Sequence, residues 1–291
     1  METHKILLMG SSGAGKSSIR CVLFANTLPK DTAKIGFTQY ITQKRASSFG
    51  GREMEIWDCP GQNNFMKHYF ESQREFLFKN CQILVYVFDM SSAIDINDIK
   101  FCVDAVAELS PNARIFGLMH KSDIVPATER DKIYWEKVRE VQREGIEFFM
   151  TSIWNESLYS TWSEIIQWLV PNSDGLRSTL LGLCDAWEAD EVVLFDKLTF
   201  LVISSHSNKL FKDKYRFEKI SSIIKMFKIT CSKASAGFVS MNVTSSRYSA
   251  IIDEFNSNSY ILVVTSKPHV LPALSKMNVQ LAKPLLSNIC F

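Results

Sequence analysis

What this chain lacks narrows it first. Its seven cysteines, at positions 21, 59, 81, 102, 184, 231 and 290, contain no C-x-x-C pair. The odd number and mostly apolar neighbours argue against zinc or a disulfide framework and suit reduced core thiols. No apolar stretch reaches the roughly 18 residues that cross a bilayer. The start, Met-Glu-Thr-His, is neither a signal peptide nor a glycine for myristoylation. Cys290 stands second from the end, not fourth from it as prenylation requires. A soluble, cytoplasmic protein is expected, with any membrane association supplied by a partner. The net charge of +2 makes no case for nucleic acid. Internal repeats and low-complexity tracts are also missing.

What is present is an ordinary globular composition, 46% apolar and 22% charged, over 291 residues. That length predicts two domains. The first ~170 residues alternate two periods. Ile6–Met9, Glu53–Trp57, Gln82–Asp89, Ala113–His120 and Ile146–Met150 read as buried strands. Lys16–Asn26, Phe65–Lys79, Asp95–Leu109, Thr128–Arg143 and Glu156–Leu169 read as helices. Such alternation predicts an α/β domain with a mostly parallel sheet, helices on both faces, and a ligand at the strand carboxyl ends. Val170–Gly175 is the best linker, rich in turn residues. Beyond it lie a helix (Leu176–Ala189), an apolar run (Val192–Ser204) and a second helix (Arg216–Ile229). Three strands (Ala236–Asn242, Tyr248–Phe255, Tyr260–Thr265) and an amphipathic helix (Val270–Pro284) follow. This half predicts an α/β layer with antiparallel hairpins and no catalytic set. The expected domains are residues 1–172 and 173–291.

The chemistry is concentrated in the first half. Gly10-Ser-Ser-Gly-Ala-Gly-Lys-Ser17 follows an apolar strand and opens a helix, the context in which G-x-x-x-x-G-K-[ST] binds phosphate. Backbone N–H groups of Ser11, Ser12, Gly13, Ala14, Gly15, Lys16, Ser17 and Ser18 would cradle the phosphates, aided by the helix N-terminus. Lys16 would reach the β- and γ-phosphates, and the Ser17 hydroxyl would bind Mg²⁺. Asp58-Cys-Pro-Gly-Gln62 follows another strand as D-x-x-G. There Asp58 would hold the metal through water, Gly61 would meet the γ-phosphate, and Gln62 would orient the attacking water. His120-Lys-Ser-Asp123 ends a third strand, where N-K-x-D stands in GTP-binding proteins. A buried Asp123 carboxylate would accept from guanine N1–H and the N2 amine, a donor pair that adenine lacks. The Lys121 stem would lie along the base, and Thr151, Ser152 and Ile153 would complete the pocket through backbone N–H groups. Thr38 is the candidate that closes over Mg²⁺ and the γ-phosphate, with Thr32 and Thr42 as competitors. Lys44-Arg45 reads as a solvated strand edge. Phe65, Met66, Tyr69, Phe70, Phe76 and Phe78 divide between helix packing and a switch-dependent surface.

These motifs resemble the Ras-like GTPases, and their details resemble the Rag branch. His120 in the place of the usual asparagine, Trp57-Asp-Cys before Gln62, and Asn64–Phe70 are similar to that branch. So are Thr151–Tyr159, Glu188–Phe195, Phe200–Ser204 and Arg216–Lys225, the last three being similar to the A/B-type subunit. The resemblance implies a GTPase domain followed by a roadblock domain, and GTP, GDP and Mg²⁺ as cofactors. It further implies a C/D-type Rag partner, a membrane-tethered scaffold complex and a GTPase-activating protein. The implied role is signalling of amino-acid sufficiency to the target-of-rapamycin kinase complex at the lysosome or vacuole. Pro60 departs from the family's glycine, and Ile41–Phe49 lacks its acidic residue and histidines. Proline fixes φ and removes an N–H, so a stiffer switch is expected there. Ser12 puts a side chain where Ras-like enzymes prefer glycine, and the sequence offers no internal arginine finger. Slow intrinsic turnover is expected. The residues also leave open a nucleotide-dependent scaffold without useful hydrolysis and, more remotely, a P-loop small-molecule kinase.

Overall fold

The computed structural model describes residues 3–49, 52–61, 72–141, 145–170, 172–209, 213, 215–233, 235, 237–267 and 272–290. The chain forms two compact units, one of Met1–Ala46 with Glu53–Thr161, the other of Ser47–Arg52 with Trp162–Phe291.

The first unit is α/β. Its strands are β1 (Thr3–Met9), β2 (Thr42–Phe49), β3 (Arg52–Asp58), β4 (Cys81–Asp89), β5 (Arg114–His120) and β6 (Ile146–Met150). Its helices are α1 (Lys16–Phe24), α2 (Arg74–Phe78), α3 (Ile96–Leu109) and α4 (Arg130–Val141), with a 3₁₀ turn at Pro29–Lys34, and α5 (Ser157–Gln167) runs across the boundary at Thr161. The sheet order is β2-β3-β1-β4-β5-β6. β1 lies parallel to β3 and β4, β4 to β5, and β5 to β6. Crossover helices cover both faces, so inner strands must be apolar on both sides. Accordingly Ile6, Leu7, Leu8, Ile83, Leu84 and Val85 are all fully buried. The predicted α/β layer is therefore observed, with element ends shifted by a few residues. α3 starts one residue late because the Asp95 side chain accepts from the N–H groups of Asn97 and Asp98 and so caps it.

Register fixes the functional end. Leu8 pairs with Asp58, Met9 with Tyr86, Asp89 with His120, and Met119 with Met150. The carboxyl ends of β1, β3, β4, β5 and β6 thus arrive at one rim. β1 sits where the strand order reverses, the crevice that binds ligands in open α/β sheets.

The second unit carries α6 (Ser173–Ala186), β7 (Glu191–Asp196), β8 (Val202–Ser207), α7 (Arg216–Lys233), β9 (Ser240–Thr244), β10 (Ser249–Glu254), β11 (Ser259–Thr265) and α8 (Pro272–Cys290). The order is β8-β7-β11-β10-β9, antiparallel throughout. The apolar run at 192–204 is two strands and a turn. Asp196 makes the break by accepting the Thr199 N–H at 2.7 Å and its hydroxyl at 2.5 Å. α6 takes up the last residues of the expected linker. Alternate residues of β7 face opposite cores. Val192 and Leu194 join Leu176, Leu180 and Val279, whereas Val193 and Phe195 join Ile224, Ile252 and Tyr260.

Candidate nucleotide-binding site

Ser11, Ser12 and Gly13 form an exposed arch between β1 and α1, followed by the fully buried Ala14. Gly15 closes the arch at φ 104°, a left-handed conformation costly for any other residue. A Cβ there would also lie 2.7 Å from the His120 ring. Ser17 and Ser18 occupy the first turn of α1. Lys16 is 5% exposed, and its Nζ donates to the carbonyls of Gly10 (2.7 Å) and Ser11 (2.8 Å). Burial lowers its pKa from 10.5 to about 8, against the opposing pull of Asp58.

The Ser17 and Thr38 hydroxyls are 2.6 Å apart. Of the competing threonines, Thr32 donates to the Pro29 carbonyl at 2.7 Å and Thr42 begins β2. Asp58, the last residue of β3, is fully buried. Its Oδ2 accepts from Arg20 Nε at 3.0 Å, while its Oδ1 has no hydrogen-bond partner among the described residues. Gly61 lies against the arch so closely that a Cβ would sit 2.5 Å from Gly10 O, Ser11 C and Ser12 N. D-x-x-G therefore meets the P-loop, and the position tolerates only glycine. Gln62 lies outside the described residues, as do Asn64, Phe65, Met66, Tyr69 and Phe70. Of the remaining aromatics, Phe78 is buried, and Phe76 is 55% exposed with its ring 5.1 Å from that of Trp57.

The opposite end of the arch meets β5 and β6. His120 is buried against Gly15, and its Nδ1 lies 2.9 Å from Thr151 Oγ1. Burial drives its pKa down to about 4, against the pull of Asp123. The imidazole is thus neutral and ties the arch to the end of β6. Lys121, at φ 60°, places Nζ 2.7 Å from Asp89 Oδ2. Burial alone would raise Asp89; the bonds from Lys121 and Ser91 hold it below the usual carboxylate range instead.

Asp123 is exposed rather than buried as expected, because the turn after β5 carries it to the surface. Its Oδ1 accepts from the Ser152 hydroxyl at 2.5 Å, and Ser152 Oγ in turn accepts from the Trp154 N–H at 3.1 Å. The Thr151 N–H is engaged with Met119 O (2.9 Å) and the Ser152 N–H with Ser157 Oγ (3.0 Å). Hence the Ser152 hydroxyl, more than its backbone, faces Asp123. Ile153 follows, half-buried. Two features had escaped the sequence reading: the Arg20–Asp58 pair and the Lys121–Asp89 pair. The i, i+3 spacing of Ser17 and Arg20 on α1 was the one local sign of the first.

The chain is similar to known GTP-binding proteins. The Gtr1/RagA G protein conserved region matches residues 5–224. Ras-related GTP-binding protein A of Dictyostelium discoideum is 43% identical over 287 residues, covering 96% of this chain and 95% of that one. GTP-binding protein gtr1 of Schizosaccharomyces pombe is 40% identical over 288 residues, covering 96% and 94%. GTP-binding protein GTR2 of Saccharomyces cerevisiae is more distant, 29% identical over 230 residues, covering 75% and 66%.

Proposed function

The chain belongs to the Gtr1/RagA family, on the A/B side of it, and on that premise we propose a GTP-binding and GTP-hydrolysing molecular switch. One observation carries this reading. β1, β3 and β5 bring a phosphate-binding arch, a D-x-x-G turn and an H-K-x-D turn to the same rim, in contact through Gly61 and His120. A metabolite kinase has no use for the last two.

In this reading residues 11–18 hold the phosphates of GTP or GDP, and Asp123, backed by Ser152, reads guanine. Ser17, Thr38 and Asp58 fit Mg²⁺, a hard cation that takes oxygen ligands. The Ser17 and Thr38 hydroxyls meet, and the buried Asp58 Oδ1 has no hydrogen-bond partner among the described residues. When bound, the ion would neutralise charge developing on the β- and γ-phosphates. Lys16 adds fixed positive charge, its depressed pKa reflecting a water-poor site. Gln62 orients the attacking water.

The reading extends to the second half. Residues 1–172 act as the GTPase domain and 173–291 as a roadblock dimerisation domain. Support comes from α7, which exposes Ile223, Met226 and Phe227, and from the edge strand β9, which exposes Val243. Such a face and edge call for cover. The mate is a C/D-type Rag GTPase, to which the GTR2 likeness gives support. The heterodimer, recruited to the lysosomal or vacuolar membrane by a scaffold complex and served by a GTPase-activating protein, signals amino-acid availability to the target-of-rapamycin complex. No helix among the described residues is long and apolar enough to cross a membrane.

Single-turnover hydrolysis of bound GTP tests the switch. Gln62→Leu should retain nucleotide and slow cleavage, whereas Ser17→Asn should favour the GDP-bound or empty protein. Unchanged cleavage in Gln62→Leu would give the water to another residue.

A further inference from the structure

Arg20 has no place in the nucleotide motifs, yet its guanidinium donates to the buried carboxylate of Asp58. We propose that Arg20 is a positioning residue for Asp58, holding one carboxylate oxygen so that the other is presented to the cation bound at Ser17 and Thr38. The proposal rests on the reading of this site as a magnesium-dependent nucleotide site.

Three observations support it. The Asp58 side chain is wholly inaccessible and that of Arg20 is 15% exposed, so water competes little with their 3.0 Å contact. A buried carboxylate without a partner is expensive, and a guanidinium is the side chain best shaped to hold one in a fixed orientation. The division of labour is also uneven. Oδ2 is taken by Arg20, and Oδ1 faces no donor among the described residues. Finally, Arg20 stands three residues after Ser17 on α1, so both side chains leave the same face of one rigid helix. One helix thereby carries a hydroxyl for the ion and the group that aims the neighbouring carboxylate. This is the usual geometry of an outer partner that orients a metal ligand.

The test is a magnesium titration of the dissociation rate of fluorescent GDP from the full-length protein, a readout independent of hydrolysis. In Arg20→Met the Mg²⁺ concentration that half-protects the nucleotide should rise roughly 10-fold or more, the range seen when such partners are removed. Arg20→Lys should restore part of that shift. Preference for GDP over ADP should be unchanged, because Asp123 is not involved. In an Asp58→Ala background Arg20→Met should add almost nothing, since interacting residues are not additive. An unchanged or lower half-point in Arg20→Met overturns the proposal. So does full additivity with Asp58→Ala, which is read within one background even if the single variant is less stable. If wild-type protein holds GDP tightly without magnesium dependence, the metal reading of the site fails and takes this proposal with it. If the wild type depends on magnesium and only the Arg20 prediction fails, that reading stands.

Discussion

The two sheets of this chain are made of the same kinds of apolar residue and put to opposite uses. In the six-stranded sheet, the paired strands β1, β3, β4, β5 and β6 run parallel, so their carboxyl ends reach one rim and their loops converge there. Both faces are taken up by helices, and polar chemistry is left only the loops. In the five-stranded sheet each neighbour reverses direction, so the turns scatter to both ends. What that sheet offers is a face and an edge. Its helix α7 packs Ile224 into the core and buries Glu218, Ser221 and Lys225 beside it, yet it also exposes Ile223, Met226 and Phe227, so apolar residues stand on its outer side as well. Strand direction therefore decides whether the loops of a layer gather at one rim or divide between two ends.

Three variants would sharpen or break that contrast. The largest effect is expected at the rim. Asp123→Asn should weaken GTP binding strongly, since sites built on a polar edge can discriminate by up to about 10⁴-fold. Competition of ATP and GTP against labelled GTP measures it, and equal competition in the wild type would remove guanine recognition from this rim. Next comes the outward face of α7. Ile223→Glu with Phe227→Glu should abolish capture of a C/D-type subunit, each anchor costing roughly 2 kcal/mol or more if it is a hot spot. Both residues are about half exposed, at 55% and 53%, so the variant alone should melt within a few degrees of the wild type. Undiminished capture in a pull-down or by sedimentation would mean that the edge strand or another face does the pairing.

The smallest effect concerns His120, whose folded pKa of about 4 lies below its ordinary 6.5. With the folded value depressed, the unfolded chain binds the extra proton first as pH falls. Stability is unaffected above 6.5, drops between 6.5 and 4, and levels below 4. The full loss is at most about 3 kcal/mol, at 1.36 kcal/mol per pKa unit. His120→Asn should remove that component. Urea midpoints across this window, compared between the two proteins, isolate it from the carboxylates that titrate in both. Parallel curves would mean that the imidazole charges in place without cost.

Much of the fold was legible because its signals are local. β6 was read with its observed ends, β3, β4 and β5 within one residue and β1 within three, because buried parallel strands are short continuous apolar runs between breakers. The second half was read less well. Two strands of one hairpin merged into a single apolar run, since the Asp196–Leu201 turn has no glycine or proline to mark it. There the turn is made by a side chain bonding back to the backbone, through Asp196 and Thr199, with Phe200 at φ 59°. The last helix also runs past Pro284 to Cys290, where a proline suggested its end.

The sequence by itself determined the fold class, the phosphate-binding arch, the D-x-x-G and H-K-x-D turns, and the family. Each is written in contiguous residues whose backbone shape and spacing are their own cause. Tertiary structure alone decided which threonine faces Ser17, that Arg20 rather than solvent holds Asp58, that His120 packs against Gly15, and that Asp123 stands at the surface beside Ser152. These contacts join segments far apart in the chain, brought together by strand register and helix packing. Local patterning says which residues form a strand, but not which loops its neighbours will bring to the same rim.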